Sequence, residues 1–313
     1  MPVEPGRDRP TVIAQIAAER IAEEVPEVEV RAAPLTGPVP DELRGEILFA
    51  AAVWNATVET LLERGVRWVQ LAGTGVDELP PVVFDGRVVT CARGASAIPV
   101  AEFAMAAALS AVKRLPESWV HEPSSRHGYA ELGELSGQTL GVVGLGGIGT
   151  EVAARALAMG MRVLAVRRTT QPAPTGVEVL SSLDELLAQV DHLVLAAPAT
   201  RHTRGMINAE TLKKCKPGMH LVNVARGTLV DQEALRDALD SGVVARATLD
   251  VTDPEPLPAG HFLYSHPAVK VSPHISWSSP KAVARLTDAF IENLRHHLAG
   301  EALAGVVDPE EGY

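Results

Sequence analysis

A glycine-rich turn between an apolar strand and a helix constrains the fold of this chain more than any other feature. The run Thr139–Val143 predicts a strand, and the sequence GLGGIG at residues 144–149 follows it and leads into a predicted helix. The run fits the pattern G-x-G-x-x-G, in which the glycines permit a tight turn, let backbone approach a pyrophosphate and let the helix pack close to the strand. The free N–H groups at the helix start would face the anion. The sequence therefore predicts a dinucleotide site at Gly144, Gly146 and Gly149, with an ordinary glycine-rich turn as the alternative.

The residues after the next strand indicate which dinucleotide is bound. In NAD-binding proteins an Asp or Glu about 20 residues past the glycines accepts hydrogen bonds from the ribose. This chain has no acid there, and Arg167, Arg168 and Thr169 follow the predicted strand Arg162–Val166. Two guanidinium groups can form charge-assisted bonds to a 2′-phosphate. The sequence therefore favours NADP(H) and leaves NAD(H) possible; the alternative is that the two arginines belong to a solvated loop.

Short apolar runs alternate with helical segments along the chain, which is typical of parallel βαβ units. We therefore predict an α/β fold of two doubly wound parallel-sheet domains, Rossmann-like and flavodoxin-like, with a cleft between them. The predicted substrate domain is discontinuous and comprises residues 1–95 and 282–313, and the predicted dinucleotide domain comprises residues 96–281. The predicted strands of the first segment are Thr11–Ala17, Glu46–Val53 and Trp68–Ala72.

The charge balance and the cysteine count exclude several classes of protein. The 313 residues include 28 Lys and Arg and 39 Asp and Glu, which gives a net charge of −11. An acidic surface repels phosphate backbones, so we expect no nucleic-acid partner. The most apolar stretch, Ala97–Val112, is interrupted by Pro99 and Glu102 and is too short to span a bilayer. Since Cys91 and Cys215 lack disulfide or zinc spacing, we expect a cytoplasmic protein without a metal site.

Three polar residues follow predicted strands in the second half of the chain. Arg226, Glu255 and His274 each lie at the strand ends where open α/β sheets bind ligands. A guanidinium can pair with a carboxylate and polarise a carbonyl oxygen. An imidazole can protonate that oxygen, and a carboxylate can orient the imidazole. Each residue alone is more often a surface or turn residue, but their ordered combination behind a dinucleotide turn predicts reduction of a 2-oxo acid by hydride from a nicotinamide.

The chain resembles the D-isomer-specific 2-hydroxyacid dehydrogenase family. The stretches that carry the resemblance lie in order between Thr139 and Ser276 and read LGVVGLGGIG, APATRHTRGMIN, HLVNVARGTLVDQEAL, ATLDVTDPEPLP and VSPHIS. Weaker matches before them are LAGTGVDELP and IPVAEFAMAAALSAVKR. The resemblance implies a hydride transfer between NAD(P)(H) and a small 2-oxo or D-2-hydroxy acid, of the glyoxylate or hydroxypyruvate reductase type. It also implies a homodimer formed through the dinucleotide-binding domains.

The resemblance further implies roles for individual residues. Arg226, Glu255 and His274 would be catalytic, with His274 as the acid/base. Backbone N–H groups of the loop Gly73, Thr74, Gly75 and Val76 would bind the substrate carboxylate, together with Arg226. The expected cofactor contacts are Gly147 and Ile148 at the pyrophosphate, Arg167 and Arg168 at the adenosine ribose, and Pro198, Thr203, Val224, Ala225 and Asp250 along the rest of the cofactor.

Two further positions lie near the expected site. Trp277, three residues past His274, is predicted to line the substrate pocket, with a core or interface tryptophan as the alternative. Thr252 stands where an aromatic residue commonly follows the Leu-Asp-Val triplet in the family.

Other functions remain open at this point. Corepressors with the family fold bind NAD(H) as sensors, although the complete trio of Arg226, Glu255 and His274 weighs against a purely binding role. The same chemistry with NADH on a bulkier 2-oxo acid is a second alternative. A hydrolase is disfavoured because the chain has no G-x-S-x-G nucleophile turn.

Overall fold

The computed structural model describes residues 9–51, 54–77, 79–120 and 130–311 of the chain. The chain divides into two compact units, one formed by Met1–Ser96 and Ser279–Tyr313 and the other by Ala97–Ser278. Each unit contains one sheet whose neighbouring strands are all parallel. The predicted fold of two doubly wound parallel sheets is confirmed.

The strand orders of the two sheets are those of doubly wound folds. The first sheet has the order β2-β1-β3-β4-β5 and the second has the order β12-β11-β10-β9-β6-β7-β8. The strands of the first are β1 Thr11–Ala14, β2 Glu29–Ala32, β3 Ile47–Ala50, β4 Trp68–Leu71 and β5 Val88–Cys91. Those of the second are β6 Thr139–Val143, β7 Arg162–Val166, β8 Val177–Val179, β9 His192–Leu195, β10 Met219–Asn223, β11 Val244–Leu249 and β12 Val269–Val271.

The helices connect the strands and cover the sheets. They are α1 Ala18–Glu24, α2 Ala56–Leu62, α3 Ala97–Lys113, α4 Gly147–Ala158, α5 Leu183–Leu187, α6 Ala209–Leu212, α7 Gln232–Asp240, α8 Phe262–Ser265 and α9 Pro280–Ala299. Among the described helices, none combines the length and the apolar character that a bilayer-spanning helix needs.

The core of the second unit lies on both faces of its sheet. Strands β9 and β10 are buried at every residue, as expected where helices cover both faces of a parallel sheet. Leu195 and Leu221 pack in one apolar cluster with residues of α5, α6 and α7. Val194 and Val222 pack in another cluster with residues of α3 and α4. The apolar strand runs in the sequence therefore correspond to the centre of this sheet.

The structure departs from the sequence pattern mainly at edges and ends. The pattern does not predict β2, β5 and β8, which are short edge strands, and β2 and β8 carry charged residues. The predicted strand Thr11–Ala17 ends at Ala14, because Ala17 has a φ of 54° and caps α1. The predicted strand Glu46–Val53 is observed as β3, and residues 52 and 53 lie outside the described part of the chain.

Two buried histidines pair near the amino edge of the second sheet. His192 in β9 lies opposite His220 in β10, and their Nδ1 atoms are 3.1 Å apart. His192 Nε2 is 2.8 Å from Gln138 Oε1, and His220 Nε2 is 3.0 Å from Thr248 Oγ1. Gln138 Oε1 can only accept, so His192 carries its proton on Nε2 and its Nδ1 accepts from Nδ1–H of His220. Thr248 then donates to His220, and both rings are neutral.

Burial keeps both of these histidines uncharged. It lowers the pKa of His192 to about 4, although the neighbouring Asp191 carboxylate acts in the opposite direction. Burial, together with His192 and Arg246, lowers the pKa of His220 to about 3. A second proton on His192 would place two Nδ1–H donors against each other inside the sheet, and a second proton on His220 would remove the acceptor that Nε2 offers to the Thr248 hydroxyl.

We expect this pair to destabilise the protein as the pH is lowered. The unfolded chain binds protons on both histidines below their ordinary pKa of 6.5, whereas the folded rings stay neutral until about pH 4 and about pH 3. Stability present above pH 6.5 is therefore lost progressively below it, by roughly 2.5 kcal/mol for each ring at about pH 4.5. Denaturant unfolding at a series of pH values measures this loss. The double variant His192→Leu, His220→Leu should show a flatter profile, and an equally steep one would contradict the assignment.

Candidate active site

The residues predicted to be functional in the second unit gather at one edge of its sheet. Since all strands are parallel, the residues that follow them lie at the same carboxyl edge, and the strand order reverses between β6 and β9, where such sheets bind ligands. The residues at this edge are the turn 144–149 after β6, Arg167, Arg168 and Thr169 after β7, Pro198 and Thr203 after β9, Val224, Ala225 and Arg226 after β10, Asp250 after β11 and His274 after β12.

The glycine turn is shaped by close backbone packing. Gly144 has a φ of 96°, and a Cβ there would lie 2.9 Å from the Cα of Ala197. A Cβ at Gly149 would lie 1.9 Å from the carbonyl oxygen of Gly144, so only glycine allows α4 to start so close to β6. By contrast, Gly146 is exposed, and a Cβ there would meet no atom of the described residues within 4 Å. The turn is therefore closely packed at Gly144 and Gly149 and open at Gly146.

The open side of this turn exposes the start of α4. The helix begins at Gly147, and no side chain in the described part of the chain caps its N-terminus. The first-turn N–H groups of a helix carry partial positive charge and favour an anion. Gly147 is exposed and Ile148 is half-buried, so their amides can reach a bound pyrophosphate. The arrangement fits the predicted cofactor.

Arg167 carries an unsatisfied donor at the end of β7. Its Nε is shielded from solvent and has no hydrogen-bond partner in the ranges that the structure describes. Buried donors in folded proteins nearly always have a partner, so such an atom needs an explanation. A phosphate oxygen placed at this strand end would supply the acceptor. Arg168 and Thr169 beside it are exposed.

The loop after β9 is closed by Thr203. Its hydroxyl donates to the carbonyl oxygen of Pro198 at 2.7 Å and accepts from the N–H of Thr200 at 2.8 Å. Thr203 therefore holds Pro198 in place at the carboxyl edge through its side chain. Val224 and Ala225 follow β10 and are buried.

Asn223 shapes the turn that carries Arg226. Its buried side chain donates to the carbonyl oxygen of Arg226 at 2.8 Å and accepts from the N–H of Ala225 at 3.1 Å. Arg226 is half-buried, and its Nη1 donates to the carbonyl oxygen of Ala225 at 2.7 Å. Sequence reasoning missed Asn223, although a buried asparagine at a strand end in VNVARG is a signal that could have found it.

The Arg226 turn and the loop that carries Glu255 are packed directly on each other. A Cβ at Gly227 would lie 2.0 Å from the carbonyl carbon and oxygen of Thr252. The side chain of Gln232 donates to the carbonyl oxygen of Asp253 and accepts from its N–H at 3.3 Å. The glycine and the glutamine together fix where the chain passes before Glu255. No sequence signal identified Gln232, because its role depends on this tertiary contact.

Glu255 and His274 form a hydrogen-bonded pair. The Nδ1 of His274 lies 3.0 Å from Oε2 of Glu255, and Oε1 of Glu255 accepts from the N–H of Thr252 at 3.0 Å. Since Nδ1–H is directed at the carboxylate, the other nitrogen, Nε2, is the one that can exchange a proton. Nε2 has no hydrogen-bond partner among the residues described, and the side chain is 42% exposed. The pair has the geometry of a general acid/base and its orienting carboxylate.

Asp250 anchors the loop that carries His274. It is 1% exposed, and its carboxylate accepts from Ser272 Oγ at 2.6 Å, from Ile275 N–H at 3.0 Å and from Ser276 N–H at 2.9 Å. Its carbonyl oxygen accepts from the N–H of His274 at 2.9 Å. His274 itself has a φ of 55°, a conformation that costs roughly 1–3 kcal/mol for a residue with a Cβ. The bonds from Asp250 hold the loop in this strained shape.

Trp277 lies on the same loop and is partly exposed. Its Nε1–H donates to the carbonyl oxygen of His274 at 3.1 Å, and its side chain is 39% exposed. The exposure argues against the core alternative for this residue.

The loop 73–76 lies at the carboxyl edge of the sheet in the first unit. The carbonyl oxygen of Gly73 accepts from the N–H of Ala92 at 3.1 Å, Thr74 is exposed, and Val76 is buried. Beneath the loop, the buried Gln70 side chain accepts from Thr90 Oγ1 at 2.7 Å and from Asn293 Nδ2 at 2.9 Å. This network fixes β4, from which the loop starts. The role of the loop in substrate binding stays a prediction.

Comparisons with known proteins agree with this arrangement. Residues 104–276 match the family model described as the NAD binding domain of D-isomer specific 2-hydroxyacid dehydrogenases. D-3-phosphoglycerate dehydrogenase of Mycobacterium tuberculosis is 37% identical over 247 residues, which cover 77% of this chain and 46% of that enzyme. This chain therefore spans about half the length of that relative.

Solved structures are similar to this chain over nearly its whole length. The NADPH-dependent glyoxylate/hydroxypyruvate reductase of Sinorhizobium meliloti, solved with NADP and malonate, has a TM-score of 0.78 and 27% identity and covers 97% of this chain and 98% of its own. D-lactate dehydrogenase of Aquifex aeolicus, solved with NAD and lactic acid, has a TM-score of 0.73 and 27% identity and covers 93% and 96%. The matched residues include the glycine turn, Arg226, Glu255 and His274. The chain belongs to the D-isomer specific 2-hydroxyacid dehydrogenase family, a family of NAD(P)-dependent oxidoreductases.

Proposed function

We propose that this chain reduces small 2-oxo acids of the glyoxylate or hydroxypyruvate type to D-2-hydroxy acids and catalyses the reverse oxidation, with NADP(H) as the preferred cofactor. The observation that carries the proposal is the His274–Glu255 hydrogen bond at the same sheet edge as the glycine turn. A dinucleotide turn alone also suits a binding protein, but an oriented imidazole with an unengaged Nε2 is what proton transfer requires.

In the proposed reaction His274 moves the proton. Its Nε2 donates a proton to the carbonyl oxygen of the 2-oxo acid during reduction and takes a proton from the hydroxyl group during oxidation. Glu255 orients the ring through Nδ1 and stabilises its charged form. When bound, the nicotinamide supplies the hydride for reduction and accepts it in oxidation. Arg226 binds the substrate carboxylate and polarises the carbonyl oxygen.

The cofactor preference rests on the end of β7. Arg167 and Arg168 are proposed to bind the 2′-phosphate, with the shielded Nε of Arg167 as one of the donors and Thr169 as a further contact. Gly146, Gly147 and Ile148 would hold the pyrophosphate at the start of α4. The remaining proposed contacts are Pro198, Thr203, Val224, Ala225 and Asp250. Among the residues that the structure describes, Oδ2 of Asp250 accepts one hydrogen bond, from Ser276 N–H, and it can accept a second from an amide.

Two further parts of the proposal rest on the family resemblance. The backbone N–H groups of Gly73, Thr74, Gly75 and Val76 are proposed to bind the substrate carboxylate. The protein is proposed to act as a homodimer formed through the dinucleotide-binding units.

Initial rates of NADPH and NADH oxidation, measured side by side, test the proposed function. The 2-oxo acids are glyoxylate, hydroxypyruvate, pyruvate and phenylpyruvate, and we expect turnover with a clear preference for NADPH and for the smaller acids. Turnover only with NADH and phenylpyruvate would replace the proposal by the bulkier-substrate alternative. Tight binding of NADPH without turnover of any acid would point to a nucleotide sensor instead.

The double variant Arg167→Asp, Arg168→Ala is expected to lower the ratio of kcat/KM with NADPH to kcat/KM with NADH by roughly 100-fold or more. Each guanidinium–phosphate bond contributes about 1.5–3 kcal/mol, and the new carboxylate repels the phosphate. Arg162→Ala is the matched control, because Arg162 begins the same strand and pairs with Glu178 at 2.8 Å. An unchanged ratio in the double variant would mean that the 2′-phosphate is recognised elsewhere.

A further inference from the structure

The peptide group between His274 and Ile275 is held from both sides. Its N–H belongs to Ile275 and donates to Oδ1 of Asp250 at 3.0 Å. Its carbonyl oxygen belongs to His274 and accepts from Nε1–H of Trp277 at 3.1 Å. Within the ranges that the structure describes, no other donor reaches this carbonyl oxygen. The orientation of one peptide plane therefore depends on one carboxylate and one indole.

This peptide plane helps to fix the backbone conformation of His274, from which the side chain projects. Its rotation changes the ψ angle of His274, and the residue already has a φ of 55°, which a side chain with a Cβ rarely adopts. A strained conformation persists only where the surrounding contacts over-determine it. The imidazole is 42% exposed, and Glu255 is the one hydrogen-bond partner of its ring among the described residues. The ring is therefore held by one hydrogen bond and partial packing, and a fixed backbone beneath it limits its positions further.

The exposure of Trp277 agrees with such a role. The indole is 39% exposed and the neighbouring Ile275 is 48% exposed, so neither side chain is a core residue. The single polar atom of the indole is nevertheless directed at the backbone of His274 and not at water. A tryptophan that served only as an apolar wall would not require this hydrogen bond.

We propose that Trp277 is a positioning residue, which holds the carbonyl oxygen of His274 and thereby orients the acid/base toward Glu255 and the substrate. The inference rests on the proposed function, because it assigns to Trp277 an effect on the proton transfer by His274. This positioning role differs from that of a substrate wall, by which we mean a residue that only lines the substrate pocket. Positioning needs the N–H group of the indole, whereas a wall needs only the shape of the ring.

The test separates the N–H group from the ring. In the first variant, benzothienylalanine replaces Trp277, which keeps the bicyclic shape and exchanges the N–H group for sulfur. The second variant is Trp277→Phe, which also removes the donor and is made from natural residues. Loss of a hydrogen bond between neutral groups is expected to lower kcat by about 3- to 10-fold in both variants. The factor should be the same for glyoxylate, hydroxypyruvate and phenylpyruvate, with KM for each acid unchanged.

A pH profile supplies a readout that a merely structural role would not move. A loosened His274–Glu255 contact stabilises the charged ring less, so the pH of half-maximal kcat/KM should move to lower values in both variants. Tyr264→Phe is the matched control, because it removes another partly exposed aromatic donor to a main-chain carbonyl, that of Leu257, in the same unit. It should leave kcat and the pH profile unchanged.

Several results would overturn the inference. Unchanged kcat and pH profile in the benzothienylalanine variant, beside an active wild type, would show that the N–H group is not needed. A loss confined to one acid, accompanied by a changed KM, would make Trp277 a substrate wall. The same loss in Tyr264→Phe would show a general effect on the unit. Absence of wild-type turnover with every acid would instead refute the proposed function, and the role of Trp277 with it.

Discussion

His274→Ala is expected to lower kcat by roughly 10²- to 10⁴-fold, the contribution that a positioned general acid makes to proton transfer. The variant keeps the glycine turn and Arg167. The dissociation constant of NADPH should therefore stay within about 2-fold of the wild-type value, a difference in binding free energy of less than about 1 kcal/mol. Steady-state kinetics and a fluorescence titration with NADPH measure the two quantities. The combination of lost turnover and retained binding is what distinguishes a catalytic residue from one that supports the fold.

His261→Ala provides the control for this prediction. His261 lies in the same unit, where its side chain accepts from the N–H of Leu263 at 3.3 Å at the start of α8. Its replacement removes a histidine and a helix cap without touching the carboxyl edge, so kcat should be unchanged. Normal turnover in His274→Ala would remove this residue from the mechanism, and the proposed function would then need another proton donor.

Arg226→Lys is expected to lower kcat/KM by roughly 10²- to 10³-fold, comparable to the loss of one donor that stabilises developing charge. A planar guanidinium offers several donors in a fixed fork, and one of them, on Nη1, is already bonded to the carbonyl oxygen of Ala225. An ammonium group cannot keep that bond and at the same time bind a carboxylate in the same geometry. Kinetics with hydroxypyruvate, together with denaturant unfolding, would separate a catalytic loss from a loss of stability.

Arg236→Lys is the matched exchange for comparison. Arg236 lies on α7 in the same unit, pairs with Glu233 at 3.1 Å and stacks on the ring of Phe262. Its replacement should affect stability slightly and kinetics not at all. If Arg226→Lys retained near-normal kcat/KM, the arginine would be a turn residue only, fixed in place by Asn223.

The fold could be predicted from the sequence because its signals are local. The apolar runs of the central strands, such as HLVL in β9, are buried on both faces, and Gly144 and Gly149 have the backbone and packing reasons that the motif implies. The edge strands β2, β5 and β8 could not be predicted in the same way. They are short, and charged residues interrupt the apolar pattern of β2 and β8.

The candidate site was predictable in its reacting groups but not in their supports. Arg226, Glu255 and His274 stand in motifs, whereas Gln232 acts only because α7 begins beside Asp253. The left-handed conformation of His274 is held by contacts with Asp250, which follows another strand, and with Trp277 on the same loop. Residue types in a sequence show which chemistry is available, but the angles that direct a side chain come from tertiary contacts.

Thr252 illustrates how tertiary contacts show the structural role of a residue that the sequence alone does not explain. The sequence shows only that it stands where relatives commonly have an aromatic residue. In the structure its N–H donates to Glu255, its hydroxyl donates to the carbonyl oxygen of Pro254 at 2.9 Å, and its carbonyl group packs against Gly227. Most of these contacts involve its backbone. A different side chain at this position is therefore compatible with the Glu255–His274 pair.

Transfer of deuterium from NADPH to product would test the proposed reaction most directly. NADPH labelled with deuterium at C4 of the nicotinamide, in separate preparations for each face, is incubated with hydroxypyruvate, and the configuration and isotope content of the glycerate are determined. We expect D-glycerate with deuterium at C2 from one of the two preparations only. L-glycerate, or D-glycerate without deuterium from either preparation, would contradict direct hydride transfer to a 2-oxo acid at this site.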